Sequence, residues 1–283
     1  MIASGVSWWR SVIRVFDLTL GQMLWSRRTL FMAAIAAVPL LIGIGLRALV
    51  TLELVQLHAP HMGERAPLTG PGIFGLMIWG FYLRFIVPVL GVAYGTALIA
   101  DEVEDKTITY LFTRPIPRGA VLLGKYLAYL VSTTVVVLPS VVVAFFLVVP
   151  ILGGHIGQSF PSLVVDLGLI GLGLAVYGAV FVLVGAWFQR PLLAGLVFVF
   201  GWEPVATVVP GYMRHFTVSF YLQGLVPHAI PRDTATTVIA SVLQSFQAPV
   251  SVWANLGWLC AIWIAALVLA VQVVERREYV LEQ

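Results

Sequence analysis

A glycine, four intervening residues, a second glycine and a lysine can wrap a phosphate. Gly119, Gly124 and Lys125 have this spacing. The chemistry needs more than spacing. Such a loop follows a strand and opens a helix, its N–H groups cradle the phosphates, its lysine reaches their far end, and a final Ser or Thr holds magnesium. Tyr126 stands in that last position, and Ala120, Val121, Leu122 and Leu123 fill the interval. Those residues suit a helix in apolar surroundings. No strand-like run precedes them, and no apolar run ending in an aspartate supplies a second nucleotide-binding element. The spacing is read as an imitation of a phosphate loop.

Other groups could do chemistry. Asp101, Glu102, Glu104 and Asp105 form an acidic run that could hold a cation. Clustered carboxylates are costly unless solvated or paired, so the run is expected to be a solvated helix end with basic partners. His58, His61 and Met62 offer soft-metal ligands, but Pro60 breaks the helix that would align them, so a polar loop is expected and no metal site. The single cysteine, Cys260, lies in an apolar run and is expected to fill buried space. Arg84 and Glu203 fall within apolar stretches, where an ionisable side chain points to function. They are expected to pair with each other or to line a cavity. Asp166 is expected at the membrane interface. The chain has no His-Glu helix motif and no nucleophile beside a base, which disfavours an intramembrane enzyme.

The elements that must position these residues are membrane helices. Of the 283 residues, 60% are hydrophobic and 10% charged, with a mean hydropathy of +0.99. A soluble domain carries roughly 25% charged residues. A span needs about 20 apolar residues, and six segments qualify: Leu30–Val50, Ile73–Ala100, Val121–Val149, Val164–Trp187, Leu192–Val209 and Val252–Val274. Pro39, Pro88 and Pro139 are expected to bend their spans. Ala34, Ile35 and Ala36 look like a cleavage site, but the apolar run continues past them, so the first span is read as uncleaved. With both termini in the cytoplasm, eleven of the 16 basic residues fall inside, which fits the positive-inside rule. The five histidines (His58, His61, His155, His215 and His228) then lie outside. These basic residues are topology signals, and no nucleic-acid partner is expected.

Two further pieces complete an all-α membrane fold. Within residues 1–29, Trp9, Val12, Ile13, Phe16, Leu20, Met23 and Leu24 recur at helical steps, with Arg10, Arg14 and Asp17 opposite. This predicts an amphipathic helix in the cytoplasmic interface, against lipid, the bundle, or both. Residues 30–283 then form the six-span domain. Its outer cap, 210–251, is expected to hold a short helix with Val238, Val242, Leu243 and Phe246 on one face.

Between the second and third spans, residues 101–118 carry Ile108, Leu111 and Phe112 at helical spacing, and Pro115 and Pro117 stop the pattern. Arg118 is expected at the membrane surface and Lys125 within snorkelling reach of it. A solvated loop has no use for an apolar face, so a partner is expected to cover it.

Glu102, Thr107, Leu111, Pro115, Arg118, Gly124 and Lys125, at this spacing, resemble the pattern of type-2 ATP-binding-cassette (ABC) exporter permeases. Lys106 stands where that family often has glycine. The resemblance implies a short cytoplasmic coupling helix docked in an ATPase groove, with Glu102, Asp105, Thr107, Ile108, Leu111, Phe112, Pro115, Arg118 and Lys125 in the coupling region. It implies two cassette ATPase subunits, a second permease copy and a bacterial inner membrane. ATP and magnesium would sit on the ATPase, and no cofactor is expected on this chain. The leading expectation is export of a hydrophobic or amphipathic substrate. The alternative is transmission of ATPase-driven force to an extracytoplasmic partner without transport.

If the phosphate-loop spacing is an imitation, the purified chain alone binds no ATP. Equilibrium binding of labelled nucleotide with magnesium checks this. Saturable binding that Lys125→Ala abolishes would restore the nucleotide site.

Overall fold

The computed structural model describes residues 8–52, 69–99, 117–151, 154–208, 212–227 and 251–276. Among these residues there are helices and turns but no strand. In lipid every backbone N–H and C=O must find a partner within the protein, which leaves helices as the available spanning element for such a sequence.

Helix α1, Trp8–Leu24, is followed by a turn and by α2, Arg27–Thr51. Helix α3 covers Gly70–Ile99, α4 Arg118–Val148 and α5 Ile156–Trp187. A shorter apolar helix, α6, covers Pro191–Ala206. After it come a 3-10 turn, Tyr212–Phe216, and the six-residue helix α7, Val218–Gln223. Helix α8, Val252–Arg276, comes last. By length and composition five of these, α2, α3, α4, α5 and α8, can cross a membrane. The fifth apolar segment of the sequence is α6, shorter than the others.

Helices α4 and α5 form the centre. They pack on each other, α4 also on α1 and α2, and α5 also on α3 and α8. Small residues allow the close approaches, as expected where lipid gives helices no hydrophobic reason to associate. A Cβ on Gly95 would lie 2.9 Å from the Cβ of Phe181, and one on Gly185 2.7 Å from the carbonyl oxygen of Thr96. Tyrosine hydroxyls tie the same helices. Tyr126 donates to the carbonyl of Ala175 at 2.8 Å and accepts from the Trp263 indole at 2.7 Å, joining α4, α5 and α8. Tyr129 donates to the carbonyl of Leu174 at 3.1 Å, and Tyr82 meets the Ser140 hydroxyl at 3.2 Å.

The amphipathic helix has two apolar faces. Ser11 and Val12 are buried against α4, while Trp9 and Ile13 are exposed, as a helix lying on a lipid surface requires. The packing of this helix on the bundle is thus observed, at Gly124 of α4. The Tyr94 hydroxyl donates to the carbonyl of Arg28, fixing the α1–α2 turn to the end of α3.

Two expectations are corrected. Cys260 is exposed, because α8 buries only the stripe Asn255, Leu259, Ala266, Ala270 and Val274. Asp166 is fully buried at 0% exposure, inside the bundle and not on an exposed helix end. Helix α5 starts at Ile156, eight residues before the expected start at Val164, which carries Asp166 about 15 Å inside the helix. Helices α2 and α4 run through Pro39 and Pro139 without a break in the helix. The expected outer helix around Val238–Phe246 lies outside the described residues.

Gly124 and Gly21 provide a paired test. A Cβ on Gly124 would meet the carbonyl oxygen of Val12 at 2.8 Å, whereas one on Gly21 meets nothing within 4 Å. Gly124→Ala is expected to destabilise by about 1–3 kcal/mol through overpacking. Gly21→Ala is expected to be neutral, or to stabilise by up to about 1 kcal/mol through helix propensity. Thermal unfolding in one detergent compares them, and equal melting temperatures would deny the close packing of α1 on α4.

Candidate functional site

The phosphate-loop imitation resolves into packing. Gly119 and Gly124 both lie inside α4, and neither has an open face. A Cβ on Gly119 would touch Val271 at 3.0 Å and the Glu275 carboxylate at 3.2 Å, both on α8. Gly124 faces α1. Tyr126, where magnesium would need Ser or Thr, is the hydroxyl that bridges α5 and α8. The Lys125 Nζ donates to the carbonyl of Leu98 at 3.0 Å. That carbonyl lies near the end of the described part of α3. The bond clamps the end of α3 to the start of α4. Arg118 opens α4 and is half-buried. The other expected coupling residues, Glu102, Asp105, Thr107, Ile108, Leu111, Phe112 and Pro115, lie outside the described residues.

The second constellation is within the membrane helices. Arg84 is at the middle of α3, about 21 Å from either end. Here α3 is π-helical from Ile78 to Ile86, and again from Gly91 to Gly95, with Pro88 in the ordinary turn between. The wider π turn draws residues five apart together. The Arg84 guanidinium accordingly sits 5.4 Å from the ring centroid of Trp79. Helix α6 also turns π-helical, from Val197 to Trp202, immediately before Glu203.

Glu203 is 5% exposed and well supplied with donors. The Tyr177 hydroxyl, from α5, lies 2.7 and 2.8 Å from its two oxygens and donates to them. The backbone N–H of Ser219 donates to Oε1 at a longer 3.4 Å. Ser219 is at the start of α7, so the carboxylate ties three elements together: α5, α6 and the segment beyond α6. Tyr177 is itself 0% exposed and stacks at 11° on Phe181, whose Cβ packs against α3 at Gly95.

Arg84 and Glu203 make no direct ion pair. They line one cavity of about 260 Å³ together with Gly80, Phe85, Val199, Phe200, Pro204 and Ser219. At its rim Phe85 and Phe200 approach to 6.2 Å between ring centroids. The sequence marks Arg84 and Glu203 by charge alone. It gives no comparable sign of Tyr177 or Ser219, because a tyrosine in an apolar run and a serine after a turn are ordinary residues. Among the described residues no group of three or more His, Cys, Asp and Glu side chains could hold a metal.

A bundle of long apolar helices, with a buried carboxylate and an exposed arginine sharing one cavity, defines an integral multi-pass membrane protein. The chain belongs to the ABC-2 transporter family: the family described as ABC-2 family transporter protein matches residues 18–279. No curated protein matches it. Membership makes it a permease, the membrane subunit of an ABC transporter, and implies an ATPase subunit as partner.

The tie between Tyr177 and Glu203 has a measurable strength. Tyr177→Phe removes the donor and keeps the ring, and is expected to cost about 1–3 kcal/mol. In a double-mutant cycle, Tyr177→Phe with Glu203→Gln should show a coupling above about 0.5 kcal/mol, while Arg84→Gln with Glu203→Gln should be closer to additive. Denaturant unfolding in mixed micelles gives both values. The opposite ranking would mean that Glu203 answers mainly to Arg84.

Proposed function

We propose that the chain is the permease of an ABC exporter, working as a pair of copies on two ATPase subunits. In this reading α6 is the fifth of six spans, both termini are cytoplasmic, and the cavity beside Arg84 belongs to the path of a hydrophobic or amphipathic substrate. The observation that carries the reading is the exposure of Arg84. Its charge lies at the middle of a spanning helix on the outside of the isolated chain. A charged side chain at the bilayer centre costs about 3 kcal/mol on insertion scales. That face of the helix is therefore covered by protein or water in the working assembly, not by lipid tails.

The neighbouring residues support a covering by protein. Phe85 and Phe200 are exposed apolar side chains lining the same cavity, and Phe200 is 53% exposed; Phe81 and Val197, on the same two helices, are exposed as well. A second copy meeting this face would enclose two cavities between apolar walls, with a charged group in each. Such a chamber suits molecules with an apolar body and a polar end. ATP hydrolysis reaches it through the segment between α3 and α4, whose base is clamped by Lys125.

Cross-linking tests the pairing. In a Cys260→Ser background, a cysteine at Phe200 is expected to give cross-linked dimers with a short bifunctional maleimide in native membranes. A cysteine at Val135, slightly more exposed but on α4, is expected to give none. Inside-out vesicles carrying the permease and its ATPase should then accumulate a lipophilic dye with ATP, and lose this with Arg84→Gln. Cross-linking at Val135 rather than Phe200 would place the partner on another face. Dye uptake that ignores Arg84 would remove the cavity from the path.

A further inference from the structure

A larger cavity, of about 440 Å³, lies away from Arg84. It is lined by Trp187, Leu269, Gln272, Val273 and Arg276. Trp187 is the last residue of α5, and the other four occupy the final two turns of α8. The groove therefore opens where these two helices leave the membrane, on the same side as the start of α4. This face is indicated by Gly119, which packs on Val271 and Glu275 of α8.

The lining divides by chemistry. Leu269 and Val273 give an apolar floor. Trp187, 60% exposed, adds an indole ring with an N–H at its edge, as aromatic residues at membrane boundaries commonly do. Gln272 adds an amide and Arg276 a guanidinium, both exposed. No hydrogen bond or ion pair engages these three side chains among the described residues. The nearest carboxylate in sequence, Glu275, is turned away: its Oε1 lies toward Gly119 on the α4 side of α8. A cation and two further N–H donors thus converge on an apolar trough at the boundary of the membrane, with no acid to answer them among the described residues.

We infer that this groove binds an anionic phospholipid of the membrane face on which α5 and α8 end. The phosphate would accept from Arg276, Gln272 and the Trp187 indole, and the first part of an acyl chain would lie along Leu269 and Val273. The medium around this stretch of helix is lipid, so the occupant needs no route of entry. A basic side chain close to the surface favours anionic over zwitterionic headgroups. Held there, the lipid fills the space between the ends of α5 and α8 and ties them together. The inference depends on the spans alone and holds whether or not the chain exports anything.

The test is lipid retention by the full-length chain in detergent. The probes are phosphatidylglycerol, phosphatidylcholine and inorganic phosphate, and native mass spectrometry counts what stays bound. Phosphatidylglycerol is expected to be retained over phosphatidylcholine. Arg276→Gln should lower that retention about fivefold, the value of one basic residue at a membrane surface, and Arg276→Lys should keep most of it. Arg190→Gln, exposed on the same end of α5 but outside the groove, should change little. Three results would overturn the assignment: equal retention of the two lipids, an Arg190→Gln effect as large as that of Arg276→Gln, or displacement by inorganic phosphate. Loss of the lipid when the ATPase subunit binds would also overturn it, and would give the groove to that protein.

Discussion

A carboxylate inside a membrane protein must be answered, and the answer to Glu203 organises the polar interior. Its donors are the hydroxyl of Tyr177 and the start of α7. Each comes from a different element, so satisfying one side chain sets the relative position of three. Tyr177 in turn stacks on Phe181, which lies against Gly91 and Gly95 of α3. The register of α3 on α5 therefore depends on the same residue that holds Glu203. Apolar packing by itself gives helices in lipid little preference for one register over another. Directional hydrogen bonds supply that preference, and the tyrosines at 82, 126 and 129 repeat the device along α4.

How much of this could be read in the sequence depends on whether the property was local. Long apolar runs have only one stable form in a bilayer, so α2 to α5 and α8 were legible to within a few residues at most ends. The exception is the start of α5, hidden because Gly157, Ser159 and Pro161 look like a loop. The two faces of α1 were legible from its period. Arg84 and Glu203 stood out because charge is rare among apolar residues, but their relation did not. Whether they pair or share a cavity depends on the wide π turns in α3 and α6, and ordinary residues form those turns. Cys260 shows the same limit: a helix apolar all round gives no sign of which side is buried.

Two glycines and a lysine can look like catalytic machinery in sequence and serve packing in three dimensions. The physical reason is that both uses need the same property. A phosphate approaching backbone N–H groups and a helix approaching a helix both require an absent Cβ. What separates them is the residue after the lysine and the structure around the glycines. Here Tyr126 and the contacts to α1 and α8 decide for packing.

The bond from Lys125 to the carbonyl of Leu98 closes a loop at its neck. With both ends pinned by the membrane helices, the entropy of closure is already met by the fold, and each doubling of loop length costs only about 0.6 kcal/mol more. The described ends of α3 and α4 thus keep their register by a contact of their own. A longer or shorter connection between these two helices therefore adds little to the cost of folding the bundle.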